Sequence, residues 1–510
     1  MKQYILAIDL GNTNVKAAVF GTRGEEIFVS SCAGPKPVSA RAGWWEQDME
    51  RQWESAAQAI RGIFGQGILP GKILGVFPTG QGNGMLLLGP GREPLRRGIL
   101  SLDSRASGIV DAWQADGRYA RAVRMTYMPF PAGSPLPLLA WLKANAPEQY
   151  RAADKVLFAK DWLRCRLCGH IGTDPTDASG AGLMDLRRNT YADEVFDLLG
   201  LGEIRGKLPE ILPSHQVAGA VSKEAAACTG LLEGTPVLCG AHDIAAYPFG
   251  VGSLDPRQAV CAMGTWGMNL VPAASLEGLP SALYHSVPGY YLTGAGDGNS
   301  GGCLDTLLDT LCAEEKRHAA AEHRSVYAYV EDRIAGREPT EILFHPFVFG
   351  SASDSAASAG FVGVRSWHGK EDLLLAVYEG IVMGHRANLG AIPWQRELEG
   401  VWLIGGGAKS RVFGQLFADI TGLPVKIPLS TEVTARGGAL HALVGLGICE
   451  THAQAAIPAP LRAEYRPDPQ RQSFYAQKFS IFEEWTRASR ATWDRQNALR
   501  KWKEQGQWKK

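Results

Sequence analysis

The chain has 510 residues, of which 45% are hydrophobic and 20% charged, a balance that predicts a globular protein of two to four domains with ample core. Its 52 basic side chains offset 52 acidic ones, so no charge footprint points to nucleic acid or an anionic membrane surface. No apolar run approaches the roughly 18 residues of a membrane-crossing helix. The nine cysteines are odd in number and scattered, and no secretory leader opens the sequence; together these predict reduced thiols and a cytoplasmic setting.

In chain order, the sequence opens with a strand over Tyr4–Ile8, a Gly turn and a returning strand over Val15–Phe20. Asp9 sits at the bend, before Gly11, Asn12, Thr13 and Asn14. These letters fit an ordinary Asn-rich hairpin. They also fit an anion cradle in which backbone N–H groups, Thr13 and Asn14 face a phosphate, with Mg²⁺ between that phosphate and the Asp9 carboxylate. Lys16, past the turn, reads either as a phosphate ligand or as a salt-bridged lysine. A third strand is predicted at Glu26–Val29. Asp48 then caps a helix whose Met49, Trp53, Ala56, Ile60 and Phe64 recur at helical spacing.

A strand at Ile73–Phe77, a loop over Pro78–Gly84 and a strand at Met85–Leu88 follow, leading to Leu102–Ser107. From about 105 to 215 the pattern is helix-rich, and the alternation as a whole predicts an α/β layer. Cys165 and Cys168 form a lone C-x-x-C on a helical segment; without a second pair they read as structural thiols. A strand at Thr235–Cys239 runs through a Gly turn into a helix, with His242 and Asp243 at the junction. Asp243 there reads as a helix cap or as a proton acceptor facing a cleft.

A second cycle of strand, turn and strand begins at Gln258–Met263, turns at Gly264-Thr265-Trp266-Gly267 and returns over Met268–Val271. Further on, a strand at Gly400–Ile404 meets Gly405, Gly406 and Gly407, and a helix follows over Arg411–Thr421. The glycines let a flat ring approach the backbone, but no G-K-[ST] ending makes this a Walker loop. After about 452 come a Pro-containing connector (Ala455–Pro469) and a polar helix with Tyr475, Phe479, Phe482 and Trp485 on one stripe. The last residues, Arg500–Lys510, read as a basic, frayed end.

The order of these motifs resembles the FGGY carbohydrate kinases of the actin/hexokinase/Hsp70 superfamily. The segments that carry the resemblance are the Asp9 loop, Gly43–Asp48, Thr79–Gly84, Gly240–Asp243, Gly264–Gly267, Gly405–Ser410 and Glu432–Ala439. Within the family the chain looks most like the pentulose and polyol branch, through Gly80–Gly84, Ile99–Ala106, Met263–Trp266 and Pro346–Ser351. The resemblance implies an α/β fold with two actin-like, RNase H-like domains flanking a catalytic cleft. On this basis residues 1–252 form an N-terminal sugar-binding domain, 253–450 a C-terminal ATP-binding domain, and 451–510 a connector and helix packing on the body.

It further implies ATP and Mg²⁺ as cofactors, a small sugar or polyol as substrate, and a possible homodimer. Asp9 would hold the metal; Gly11, Thr13 and Asn14, with Gly264 and Thr265, would touch the triphosphate; Gly405, Gly406, Gly407 and Ser410 would hold the adenosine half. Asp243 would be the proton acceptor, with His242 an alternative acid/base or a neighbour that orients it. Sugar contacts are expected from Trp45, Glu46, Gln81, Asn83, Asp103 and Arg105. Trp44 and Trp45 could instead form a core pair against Trp53. Where the family's xylulokinases carry a Met-His pair, this chain has Gly82-Asn83, a departure that fits another pentulose or a tetritol. The expected activity is ATP-dependent phosphorylation of the terminal hydroxyl of a ketopentose, with erythritol- or glycerol-type polyols, or an actin/Hsp70-like ATPase, as the alternatives.

Overall fold

The computed structural model describes residues 2–351, 354–392 and 397–504. The chain forms two compact units: one of residues 1–254, 272–292 and 432–459, the other of 255–271, 293–431 and 460–510. The contiguous division expected from the sequence differs here. Segments 272–292 and 432–459 pack with the first unit, because apolar residues such as Ala282, Leu440 and Leu443 are buried in its cores.

The first unit is built on a mixed sheet in the order Val217–Ala220, Pro236–Leu238, Ile73–Gly80, Tyr4–Leu10, Asn14–Gly21, Glu26–Ala33. The two opening strands form the antiparallel hairpin read from the sequence, and Tyr4–Leu10 pairs in parallel with Ile73–Gly80. That last strand runs further than expected, so Pro78, Thr79 and Gly80 are strand residues and the loop begins only at Gln81. Central strands are buried on both faces, which is why Ile5–Ile8 and Ala17–Phe20 read as continuous apolar runs. The Met49–Phe64 helix covers one face with Trp53, Ile60 and Ile63. Its cap is the one expected: the Asp48 side chain accepts from the Arg51 N–H at 3.2 Å, worth about 1 kcal/mol.

The second unit repeats the plan. Its sheet runs Tyr291–Asp297, Gly267–Ala273, Gln258–Met263, Gly400–Ile404, Val425–Pro428, Leu461–Tyr465. The 258–263 strand is antiparallel to 267–273 and parallel to 400–404, the same relationship that the opening hairpin has with residues 73–80. The Leu461–Tyr465 strand lies inside the stretch read as a connector. It was illegible because its burial is partial and it has no apolar run. The closing helix spans Pro469–Glu504 and buries Tyr475 and Phe482, with Phe479 and Trp485 packed beside them, as the stripe predicts. Residues 505–510 of the basic end lie outside the described residues. Among the described residues no helix is long and apolar enough to cross a membrane, and all nine cysteines are free.

Candidate active site

In the first unit Asp9 is the half-buried sixth residue of the first strand, between buried Ile8 and Leu10. It lies opposite Thr79 on one side and Lys16 on the other. The Thr79 hydroxyl donates to Asp9 Oδ1 at 3.2 Å. Burial raises the Asp9 pKa; Lys16 and the Thr79 hydrogen bond oppose that rise, while Glu432 adds to it. Lys16 is not poised as a phosphate ligand: its ammonium pairs with Glu432 at 2.9 Å. The turn itself is tied from behind. Buried Gln52 and Gln47 donate to the carbonyls of Gly11 and Asn12 at 3.4 and 3.0 Å, and the Gly34 N–H donates to the Thr13 carbonyl at 2.8 Å. A Cβ at Gly11 would meet the Asn14 carbonyl at 2.8 Å, so the bend needs glycine. Thr13 and Asn14 are exposed, Asn14 as the first residue of the returning strand.

Asp243 is the first residue of the Asp243–Gly250 helix, one past the cap position, which His242 occupies. Burial pushes its carboxyl up to about 7; His242 and the Ile244 N–H pull it down, while Asp9 and Asp177 push it further up. His242 is buried and its Nε2 lies 3.2 Å from Asp243 Oδ1. Behind it is a buried ionic cluster that the sequence did not reveal. Lys160 Nζ lies 2.6, 3.0 and 3.0 Å from Asp161, Asp174 and Asp177, all without exposed side-chain surface. The only signal for it was charge inside an otherwise apolar stretch.

The expected sugar contacts fall into two groups. Gln81 and Asn83 line a small cavity of about 20 Å³ with Met85, Leu100 and Ala159. Asn83 has φ +58°, a left-handed conformation, and accepts from the Ser134 hydroxyl at 3.2 Å. Glu46, Asp103 and Arg105 form an ionic knot: Arg105 donates to Asp103 at 2.7 Å and to Glu46 at 2.9 Å, and Arg96 also pairs with Glu46. Asp103 and Arg105 have no exposed side-chain surface, so they brace the loop, while Glu46 keeps an exposed edge. Asp103 also accepts from the Trp45 N–H at 2.7 Å. Trp44 stacks on Arg105 and meets Trp141 edge-on instead of pairing with Trp53, because the guanidinium offers a cation–π partner. Trp45 is 38% exposed.

In the second unit the Gly264–Gly267 turn, the Gly301–Leu311 helix and the Gly406–Lys409 turn surround a cavity of about 440 Å³. It is lined by Gly264, Thr265, Gly406, Gly407 and Ser410, with Tyr327 and Phe413 as aromatic walls. Gly405 has φ +88° and ψ −171°, a region open essentially to glycine alone. A Cβ there would sit 2.8 Å from the Met263 carbonyl. The Ser410 side chain accepts from the Val412 and Phe413 N–H groups, so it caps the next helix while lining the cavity. Arg411 instead pairs with Asp332.

A buried triad of residues not singled out in the sequence supports this corner. Ser300 Oγ lies 3.1 Å from His385 Nε2, and His385 Nδ1 lies 2.8 Å from Asn269 Oδ1. Gly301 and Gly302 donate to the carbonyls of Gly264 and Thr265 at 2.9 and 3.1 Å. Gly298–Gly302 was the available signal: a Gly-rich strand-to-helix turn like the others.

The cavity has the size of a small-molecule pocket, and its glycine turns leave room for a flat ring. Among the described residues no group of three His, Cys, Asp or Glu side chains could hold a metal unaided. A single carboxylate such as Asp9 would give Mg²⁺ one oxygen ligand, with waters and phosphate as the others, the usual pattern for that ion.

Two α/β units, each opening on a strand–turn–strand with a parallel neighbour, define an actin-like kinase fold. Residues 4–250 match the N-terminal domain, and residues 259–446 the C-terminal domain, of the FGGY family of carbohydrate kinases. The chain belongs to that family and is a phosphotransferase that acts on a carbohydrate. It is 30% identical over 492 residues to the L-xylulose/3-keto-L-gulonate kinase of Escherichia coli (strain K12), covering 95% of this chain and 96% of that protein. It is 27% identical over 491 residues to the xylulose kinase of the same organism, covering 94% and 97%. The solved xylulose kinase of Lactobacillus acidophilus shares the fold with a TM-score of 0.88 at 24% identity, covering 97% of this chain and 99% of that one.

Proposed function

We propose that the protein is an ATP-dependent kinase that phosphorylates the terminal hydroxyl of a ketopentose of the xylulose type. Asp243 carries this reading. Its carboxyl is held at a strand-to-helix junction, it titrates near neutrality, and it keeps a quarter of its side chain exposed. A base with those properties can take a proton from an alcohol at working pH. Asp9 and the Gly11–Asn14 turn would face the phosphates and the metal, and the second unit's cavity would hold the adenosine half. Mg²⁺ when bound would neutralise phosphate charge. Trp45, Glu46, Gln81 and Asn83 are the side chains we assign to the sugar, with Asp103 and Arg105 bracing Glu46. The names of the E. coli relatives, L-xylulose/3-keto-L-gulonate kinase and xylulose kinase, support a ketose substrate.

The test is ADP release from Mg-ATP with purified protein over a panel of D- and L-pentuloses, 3-keto-L-gulonate, erythritol and glycerol. Preferred turnover of a xylulose is expected. Preference for erythritol or glycerol would replace the ketopentose assignment with a polyol one, and no stimulation by any member would overturn both.

A further inference from the structure

We propose that His242 is a positioning residue that selects which oxygen of Asp243 accepts the proton of the substrate hydroxyl. The inference rests on the assignment of Asp243 as the base.

The one hydrogen bond on the carboxylate among the described residues and the imidazole edge both fall at the same oxygen. His242 Nε2 lies 3.2 Å from Oδ1, and the Ile244 N–H donates to Oδ1 at 2.6 Å. Oδ1 accepts from the Ile244 N–H and faces the imidazole Nε2 at contact distance; among the described residues Oδ2 is the oxygen whose lone pairs remain for an incoming alcohol.

The ring has no freedom to leave. A Cβ at Gly82 would fall 2.3 Å from Nε2, and one at Gly180 would fall 3.1 Å from Nδ1, so glycines flank the imidazole on both sides. The His242 backbone is fixed as well. Its N–H donates to Thr176 Oγ1 at 2.8 Å, Thr176 donates to Asp174 Oδ2 at 2.7 Å, and Asp174 is ion-paired with Lys160 at 3.0 Å. Nδ1 is buried and unpartnered, so no competing bond pulls the ring away from Asp243. Burial keeps the imidazole neutral by lowering its pKa; Asp243 and Asp174 oppose that, and Lys160 adds to it. The charged and titratable groups facing Asp243 itself are His242, Asp9 and Asp177, with Tyr247 on its own helix. The sequence reason for Gly82 follows. The loop that carries Gln81 and Asn83 gives up a side chain so that the ring can lie beneath it.

The experiment compares kcat, both KM values and the pH profile of kcat for wild type, Asp243→Asn, His242→Phe, His242→Gln and Gly180→Ala. His242→Phe fills the slot without a donor. It should lower kcat about 100-fold by misaiming the carboxylate, leave both KM values nearly unchanged, and move the acidic limb to higher pH, because the carboxylate loses the neighbouring imidazole that lowers its pKa. His242→Gln, whose amide can reach the place of Nε2, should recover most of the rate and the wild-type limb. Gly180→Ala keeps both residues and crowds the ring, so it should shift rate and limb in the same direction by less; it carries the test if His242→Phe does not fold. An unmoved limb with near wild-type kcat in His242→Phe, or a rise in the sugar KM alone, would overturn the proposal. If Asp243→Asn turns over like wild type, the base assignment fails and the positioning role falls with it. If Asp243→Asn is dead while His242→Phe is normal, only the positioning role falls.

Discussion

Lys16 lies directly across the first hairpin from Asp9, yet its ammonium holds both oxygens of Glu432 at 2.9 Å. The ammonium therefore only partly offsets the charge of Asp9, whose pKa stays raised by burial. Such a carboxylate is one that a divalent cation would stabilise.

Asp9→Asn should therefore raise the Mg²⁺ concentration needed for half-maximal turnover by tenfold or more, since about 1.4 kcal/mol of lost ion–metal attraction is a factor of ten. A magnesium titration of initial rate checks it. Superimposable titrations for mutant and wild type would remove the metal role from Asp9.

For Asp243 the sign of the pH dependence is fixed by its direction of shift. A carboxyl raised to about 7 is protonated, and idle as a base, below neutrality. The kcat/KM profile should thus rise with pH up to near 7. Asp243→Asn should lose about two to four orders of magnitude in kcat and show no such limb, while nucleotide binding followed by calorimetry stays near wild type.

Gly405→Ala places a side chain in a backbone region that costs about 1–3 kcal/mol for any other residue, with its Cβ against the Met263 carbonyl. The loop lines the second unit's cavity. We expect the KM for ATP to rise about tenfold or more, with the KM for sugar little changed. Steady-state kinetics with each substrate varied in turn measures both.

Arg436 is buried and, among the described residues, has no carboxylate partner. It donates to the carbonyls of Gly24, Gly250, Ile457 and Pro458 at 2.9, 2.6, 2.9 and 3.4 Å. Burial lowers its pKa to about 10, still well above physiological pH, so it stays charged. Arg436→Met fills most of the space but takes the donor from these carbonyls, of which those of Gly24 and Gly250 belong to buried residues. It should cost the first unit about 3 kcal/mol or more, read as a lower midpoint in urea unfolding. An unchanged midpoint would mean that these carbonyls find other partners.

How much of this could be read in advance depended on whether the signal was local. The 258–263 and 400–404 strands and the 411–421 helix fall where their letters put them. A continuous apolar run and period-3.6 burial both write themselves into neighbouring residues. The Leu461–Tyr465 strand carries no such pattern. Likewise Thr79, read as loop, is a strand residue bonded to Asp9.

The hairpin turns, the glycines that let them bend, the carboxylates at positions 9 and 243 and their order along the chain are all legible in the letters. Order was enough to indicate the family. Which polar groups are spent on each other is settled when the chain packs. Lys16 finds Glu432, Arg105 closes on Asp103 and Glu46, and His242 and Ile244 meet on a single oxygen of Asp243. Lys16 and Glu432 are 416 residues apart, and Arg105 and Glu46 are 59 apart. Their pairing is set by strand register and by the penalty for burying an unpaired charge, neither of which is written in adjacent residues.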